Sequence, residues 1–142
     1  MISMQGISKT FPGVVANDNV DFGIFRSEIH ALLGENGAGK STLMKILYGF
    51  YRSDAGSIEL DGHALSIQSP SDARAAGIGM VFQDFTLIPA FSVAENIALF
   101  LPDLGQVVDM KDVVGRIREL SERYALKVRP RARVSELSIG EQ

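Results

Sequence analysis

The chain has 142 residues, a formal net charge of −3 and no cysteine. A chain of this length can bury a core of domain size, and its acidic balance gives no overall positive field that would attract a nucleic acid. The lack of cysteine excludes disulfides, thiolate zinc sites and cysteine nucleophiles. We expect neither a secretory signal nor a membrane span, because no apolar stretch approaches roughly 20 residues, so any membrane role must come through a partner.

The beginning of the sequence predicts strands followed by one helix. Short strands are expected at 2–9 and 19–25, where apolar and polar residues alternate. A buried strand is expected at 28–33, because Glu-Ile-His-Ala-Leu-Leu ends in an apolar run. Residues 41–48 are expected to form a helix, since their apolar side chains recur on one helical face.

The middle of the sequence predicts a hairpin, a short helix and a further strand. Residues 57–60 and 64–67 flank Asp61-Gly62, a dipeptide typical of hairpin turns. The run Ser-Pro-Ser-Asp opens a short helix at 69–76, which a glycine follows. An apolar run at 78–82 then predicts another buried strand.

The remainder of the sequence is predicted to be helical. A Ser-x-x-Glu capping box precedes a helix at 93–100, a loop with proline and glycine covers 101–108, and an aspartate caps a longer helix at 110–124. We therefore expect an α/β core over residues 1–83 and a helical subdomain over residues 84–142.

A complete phosphate-binding loop lies between the predicted strand at 28–33 and the predicted helix that follows. The pattern G-x-x-x-x-G-K-[ST] begins at Gly34 and ends with Lys40 and Ser41. Glycines permit backbone conformations in which successive N–H groups converge on phosphate oxygens, and the helix start adds its positive dipole end. Lys40 is expected to contact the β- and γ-phosphates, Ser41 to join a Mg²⁺ shell, and Thr42 to touch the α-phosphate. The residues predicted to bind the nucleotide here are Gly34, Asn36, Gly37, Ala38, Gly39, Lys40, Ser41 and Thr42.

Two alternatives to this loop are weaker. A glycine-rich turn with an incidental lysine requires four fixed positions to coincide by chance in a short chain. The G-x-G-x-x-G dinucleotide fingerprint requires a glycine at position 42, where this chain has threonine.

Other chemically suggestive residues have plainer interpretations. Arg129, Arg131 and Arg133 are interpreted as a solvated connector. His30 and His63 are interpreted as structural, because neither lies at ligand spacing with other metal-binding residue types. No run of four apolar residues ends in an aspartate, so the second Mg²⁺-holding carboxylate that P-loop ATPases need is missing from these 142 residues.

The last six residues, Leu-Ser-Ile-Gly-Glu-Gln at 137–142, complete a set of motifs in a family order. Together with the phosphate loop and a helical insert that begins at a glutamine, they resemble the nucleotide-binding subunit of an ABC transporter over nearly the whole chain. Stretches such as Phe-Pro-Gly-Val at 11–14 and Ser-Val-Ala-Glu-Asn-Ile at 92–97 resemble, more narrowly, importers of simple sugars or nucleosides.

The resemblance implies roles for residues outside the phosphate loop. Phe11 matches the aromatic residue that stacks on adenine, with Val15 beside it; the family more often has tyrosine, but phenylalanine keeps the π face. Gln83 matches a residue that ligates Mg²⁺ and senses the γ-phosphate, so Lys40 and Gln83 are the expected catalytic residues and Ser41 and Gln83 the metal ligands. Ser138 and Gly140 match signature residues that contact ATP held by the opposite domain, although the intervening Ile139 replaces the commoner glycine.

The resemblance also implies an incomplete P-loop ATPase core of α/β class, with an N-terminal antiparallel β portion and a helical subdomain. Its cofactors would be ATP and Mg²⁺, and its partners a second ATPase domain in a head-to-tail dimer, transmembrane permease subunits and, indirectly, a solute-binding protein. It would act peripherally at the cytoplasmic face of the inner or plasma membrane of a bacterial-type importer, without nucleic acid.

The resemblance implies one expectation about hydrolysis, beside which two alternatives are weighed. The full-length protein would hydrolyse ATP, while this N-terminal portion alone would be inactive because the catalytic Glu, an Asp and a switch His lie beyond residue 142. A soluble ABC ATPase of translation or DNA repair is an alternative, but residues 84–137 are too short for a coiled-coil arm. A P-loop kinase is a weaker one, since the signature hexapeptide has no role there.

Overall fold

The structure is a computed structural model that describes residues 1–82, 87–101 and 108–141. The chain divides into two compact units, Met1–Val81 and Phe82–Gln142, and each is described by itself. Gln83 and the larger part of the predicted loop at 101–108 lie outside the described residues.

The first unit contains a four-stranded antiparallel sheet in the order β2-β1-β3-β4. The strands are β1 at Ile2–Phe11, β2 at Val14–Ile24, β3 at Ala55–Leu60 and β4 at His63–Ala64. A tight turn joins β1 to β2, so both strands run further toward each other than the sequence pattern predicts. This sheet is the antiparallel β portion that the sequence predicted.

Two helices accompany this sheet: α1 at Lys40–Leu47 and α2 at Pro70–Ala75. Both lie where the sequence predicted them, and the Ser69 side chain caps α2 by accepting a hydrogen bond from the Asp72 N–H. The apolar face of α1 is buried, as are Met4 and Ile7 of β1. The core of this unit contains Met4, Ile7, Leu43, Ile46, Leu47, Tyr48, Ile67 and Ala73.

Two predicted strands are wrong for the described structure. Neither 28–33 nor 78–82 forms a strand, and Ile29 is fully exposed. The reason is that a strand exists only through hydrogen bonds to a neighbour, and in residues 1–82 the four strands pair only with one another. The second hairpin strand is likewise shorter than predicted: β4 covers only His63–Ala64, although the Leu65 N–H still donates to the Ile58 carbonyl at 2.8 Å.

Among its described residues, the second unit contains two helices, α3 at Val93–Ala98 and α4 at Met110–Arg123, and a 3-10 turn at Val134–Glu136. The predicted capping box of α3 is present: Ser92 donates its N–H to Glu95 Oε2 at 2.7 Å, and Glu95 N–H donates to Ser92 Oγ at 3.2 Å. Asp109 caps α4 as predicted. The core between the two helices is formed by Ala94, Val113, Val114 and Ile117.

The buried part of the apolar face of α4 is shorter along the helix than the sequence pattern predicts. Val113, Val114 and Ile117 are buried, but Leu120 and Tyr124 remain more than half exposed. The core that α3 provides against α4 therefore covers only the first two turns of the longer helix.

Candidate functional site

The predicted phosphate loop connects residue 34 to the start of α1, which begins at Lys40. Gly37 and Gly39 have φ angles of 89° and 82°, in the left-handed region that favours glycine. Within the loop, the Ala38 N–H donates to the Glu35 carbonyl at 3.1 Å, which closes a turn. Asn36 lies at the exposed tip of this turn.

Gly39 is also held against β2. A Cβ atom at this position would lie 2.1 Å from the Ala16 carbonyl oxygen and 2.9 Å from Asn17 Nδ2. The buried Asn17 side chain donates to the Gly39 carbonyl at 3.4 Å, while its own Oδ1 has no hydrogen-bond partner among the described residues. The close approach of β2 therefore fixes the point at which loop becomes helix.

The start of α1 differs from the starts of the other described helices. Side chains cap α2, α3 and α4, through Ser69, Ser92 and Asp109. The N-cap of α1 is Gly39, which offers no side-chain cap. Without a side-chain cap, the first-turn N–H groups of α1, including those of Ser41 and Thr42, could bind an anion, and the positive end of the helix dipole would favour it.

The Lys40 side chain turns back over the loop. Its Nζ donates to the carbonyl oxygens of Gly34 and Glu35, each at 2.7 Å. The ammonium group therefore lies over the loop, next to its backbone. Ser41 is exposed at the helix start, so its hydroxyl fits a Mg²⁺ shell, since Mg²⁺ prefers oxygen ligands.

Phe11 lies at the end of β1, half-buried, with Val14 as its cross-strand partner. Its ring packs edge-on against the Tyr51 ring, with centroids 5.1 Å apart and planes at 72°. Val15 pairs with Thr10 rather than with Phe11 and is mostly exposed. The sequence pattern did not predict Tyr51 as a neighbour of Phe11, because 40 positions separate the two.

Ser138 forms a hydrogen-bond network with Glu141 and Arg129. Its N–H and its hydroxyl both donate to Glu141 Oε2, at 2.9 and 2.8 Å, and Arg129 Nη2 donates to Glu141 Oε1 at 3.2 Å. Ile139 and Gly140 between them are exposed. No sequence pattern singled out above predicts this network, although the Ser-x-x-Glu spacing indicates it. Arg129, Arg131 and Arg133 are all exposed, which agrees with a solvated connector, and Arg129 in addition pairs with Glu141.

These contacts lower the pKa of Glu141 below its ordinary value of 4.5, chiefly through the Ser138 N–H, then through the Ser138 hydroxyl and Arg129. The contribution of Glu141 to stability is therefore present above its unfolded pKa and is lost as the pH falls through the lower folded pKa.

In Arg129→Ala we expect a partial rise of the Glu141 pKa, because both Ser138 donors remain. Carboxyl NMR titration would measure it, with Arg131→Ala as the control, and an unchanged Glu141 pKa in Arg129→Ala would contradict the ion pair.

Neither histidine lies in a metal-binding cluster of the described structure. His30 Nδ1 lies 2.9 Å from Glu28 Oε1, and its ring packs edge-on against Phe22. His63 Nδ1 lies 3.1 Å from the Asp61 carbonyl oxygen. Among residues 1–82, 87–101 and 108–141, no three His, Cys, Asp or Glu side chains come together in a way that could hold a metal ion.

A model of the ABC transporter family matches residues 17–142, which includes the phosphate loop and the Ser138 network. The chain belongs to the ABC transporter family. The match leaves out β1 with Phe11 and the first residues of β2, and it extends over the remainder of the first unit and the whole of the second.

Curated members of this ABC transporter family resemble the chain over its whole length. The ribose import ATP-binding protein of Rubrobacter xylanophilus is 50% identical over 141 residues, which are 99% of this chain and 28% of that protein. The guanosine import ATP-binding protein of Bacillus subtilis is 46% identical over 143 residues, covering 100% of this chain and 28% of that protein. The chain thus spans little more than a quarter of the length of these relatives.

Solved structures of ABC cassettes show the same fold. An ATP-binding cassette of an ABC transporter in its ADP conformation matches with a TM-score of 0.81 at 23% identity, over 99% of this chain and 60% of that one. A nucleotide-free cassette matches with a TM-score of 0.79 at 21% identity, over 97% of this chain and 59% of that one. The predicted P-loop ATPase core with a helical portion is therefore confirmed as the fold class.

No helix among the described residues combines the length and the hydropathy that a bilayer crossing requires.

Proposed function

We propose that this chain is the ATP-binding part of the ATPase subunit of an ABC importer for a simple sugar or a nucleoside. The observation that carries the proposal is the position of Lys40 Nζ inside the loop, 2.7 Å from the carbonyl oxygens of Gly34 and Glu35. Together with the uncapped start of α1, it provides a lysine and helix N–H groups for one set of phosphate oxygens.

In this proposal each loop residue contacts one part of the Mg-nucleotide. The backbone of Gly34, Asn36, Gly37, Ala38 and Gly39 forms the anion nest, Lys40 neutralises the β- and γ-phosphates, and Thr42 contacts the α-phosphate. The Ser41 hydroxyl, with Gln83, would hold Mg²⁺, which would supply positive charge next to the β- and γ-phosphate oxygens. Phe11 provides an aromatic face for adenine, with Val15 alongside.

The second unit has a different role in the proposal. Residues 84–142 form a helical subdomain, and residues 1–83 form the ATP-binding core. Ser138 and Gly140 would reach the γ-phosphate of ATP held by a second ATPase domain in a head-to-tail dimer, which associates with permease subunits at the membrane. Hydrolysis is assigned to the full-length protein, and the 142-residue chain alone is expected to release phosphate at a negligible rate.

The substrate class rests on the named functions of the relatives. The curated proteins similar to this chain are called import ATP-binding proteins for ribose, guanosine and glucose. A soluble ABC ATPase finds no comparable support: the longest helix that the structure describes, α4, has 14 residues, too few for a coiled-coil arm.

A comparison of nucleotides tests the ATP-binding proposal. The 142-residue chain should bind Mg-ATP and Mg-ADP, and AMP should bind at least about 100-fold more weakly, because Lys40 and the nest contact phosphates that AMP lacks. Isothermal titration calorimetry measures all three. Equal affinity for AMP and ATP, or no binding of either, would overturn the proposal.

The transport proposal needs the full-length protein with its permease in vesicles. ATP-dependent uptake of labelled ribose, glucose or guanosine would support it, with Lys40→Ala as the inactive control. ATP hydrolysis that no permease or solute stimulates would instead support the soluble alternative.

A further inference from the structure

Phe11 is held by a set of side chains that no motif predicts. The Lys9 ammonium nitrogen lies over the Phe11 ring, 5.6 Å from its centroid. The planes of the Phe11 and Tyr51 rings are nearly perpendicular, and their centroids lie 5.1 Å apart. A cation at this distance attracts the π face, and a closely packed second ring restricts rotation, so contacts with Lys9 and Tyr51 restrain the orientation of Phe11.

Asp54 in turn fixes Lys9. Its Oδ1 accepts a hydrogen bond from Lys9 Nζ at 2.7 Å, and its Oδ2 accepts one from the Thr10 N–H, also at 2.7 Å. The Asp54 N–H donates to the Ser8 carbonyl at 2.8 Å. One aspartate thus holds three successive residues of β1 immediately before Phe11, and the Lys9 side chain is only 16% exposed.

This arrangement is needed because β1 is irregular at this point. Its register with β2 shifts between Lys9 and Thr10, and its register with β3 shifts between Gln5 and Ser8. Regular ladder pairing therefore does not determine the direction of the Phe11 side chain. The hydrogen bonds of Asp54 do so instead, and their donors hold the pKa of Asp54 below its ordinary value, Lys9 first and Thr10 second.

The same cluster is connected to the phosphate loop through α1. Lys45, in the last turn of α1, places its Nζ 5.7 Å from the Tyr51 ring centroid, and its carbonyl accepts a hydrogen bond from the Tyr51 N–H at 3.3 Å. Because α1 begins in the loop at Lys40, one helix sets the separation between the phosphate site and the ring. A nucleotide has a fixed span between base and phosphates, so this separation matters for binding.

We propose that Lys9 and Asp54 are positioning residues for the purine base, which stacks on the face of Phe11 opposite the Lys9 ammonium. Repulsion between the negative π faces of the purine and Phe11 is reduced when a cation lies behind one of them. This inference rests on the proposed ATP binding and adds to it the residues that orient the base platform.

The test separates base binding from phosphate binding. Affinities for Mg-ATP and for Mg-tripolyphosphate, which carries no base, are measured by calorimetry on the wild-type chain and on Lys9→Met, Lys9→Arg and Asp54→Asn. Lys9→Met keeps the alkyl chain and removes the charge, Lys9→Arg keeps a cation over the ring, and Asp54→Asn keeps the shape but loses the ion pair. Lys127→Met is the matched control, because Lys127 is exposed and belongs to the other unit.

In Lys9→Met and Asp54→Asn, ATP binding is expected to weaken about three- to fivefold while tripolyphosphate binding stays unchanged. Lys9→Arg should retain most of the ATP affinity. A variant that carries both Lys9→Met and Asp54→Asn should bind ATP no more weakly than Lys9→Met alone, because the two residues act as one unit. An equal loss for ATP and tripolyphosphate, or an unchanged ATP affinity in Lys9→Met, would overturn the inference while leaving ATP binding intact. A wild-type chain that binds neither ligand would overturn the proposed function itself.

Discussion

Replacing Gly39 by alanine is expected to destabilise the first unit by about 2–5 kcal/mol, because two costs add at this position. The φ angle of 82° disfavours any residue with a Cβ atom. The new methyl group would also lie 2.1 Å from the Ala16 carbonyl oxygen, which is backbone and cannot rotate away. Relief of this clash would move the start of α1 away from β2 and disturb the phosphate loop, so nucleotide binding should be lost as well.

Gly37→Ala is the matched control for this prediction. Gly37 has a similar φ angle of 89°, but nothing lies within 4 Å of a Cβ atom placed there. Only the conformational cost of about 1–2 kcal/mol is then expected. Urea unfolding followed by circular dichroism measures both variants, and equal losses of stability would show that the packing of Gly39 against β2 is not as described.

The features that the sequence predicted well are those that depend on near neighbours. Ser69, Ser92 and Asp109 cap three helices through bonds to residues two or three positions away, so the chemistry of each cap is contained in a short window. The Asp61-Gly62 turn is local in the same sense, since both residues adopt positive φ angles. The contact of Ser138 with Glu141 belongs to this class too and could have been predicted from spacing alone.

The features that the sequence did not predict depend on partners far along the chain. Residues 28–33 have the composition of a buried strand, but composition does not provide a neighbouring strand, and Ile29 is fully exposed. The bond between Lys9 and Asp54 joins positions 45 residues apart. The packing of Gly39 on Ala16 likewise follows from how β2 approaches the loop, which no local pattern determines.

The same contrast between near and distant partners separates the site residues that the sequence predicts from those that it does not. The glycines, Lys40 and Ser41 form a fixed pattern in which each spacing reflects a contact within one loop, so their arrangement could be predicted from the sequence. The surroundings of Phe11 could not, because they are assembled from β1, the segment after α1 and the residues that lead into β3. Gln83 stays a prediction, since it lies outside the described residues.

Lys40→Ala is expected to weaken Mg-ATP binding by about 10- to 150-fold, because a hydrogen bond to a charged group contributes about 1.5–3 kcal/mol. The fold should be little affected: Lys40 Nζ bonds only to carbonyl oxygens of an exposed loop, which water can satisfy when the ammonium is removed. The measured ATP affinity should therefore fall while the urea midpoint stays close to that of the wild-type chain.

Two further variants make the result specific to the ammonium group. Lys40→Met keeps most of the alkyl chain and should lose as much ATP affinity as Lys40→Ala, whereas the exposed Lys127→Ala should lose none. The loss should be larger for ATP than for ADP, since the proposed contacts of the lysine include the γ-phosphate as well as the β-phosphate. Unchanged ATP affinity in Lys40→Ala, with the fold intact, would show that the ammonium group lies over the loop without binding phosphate there.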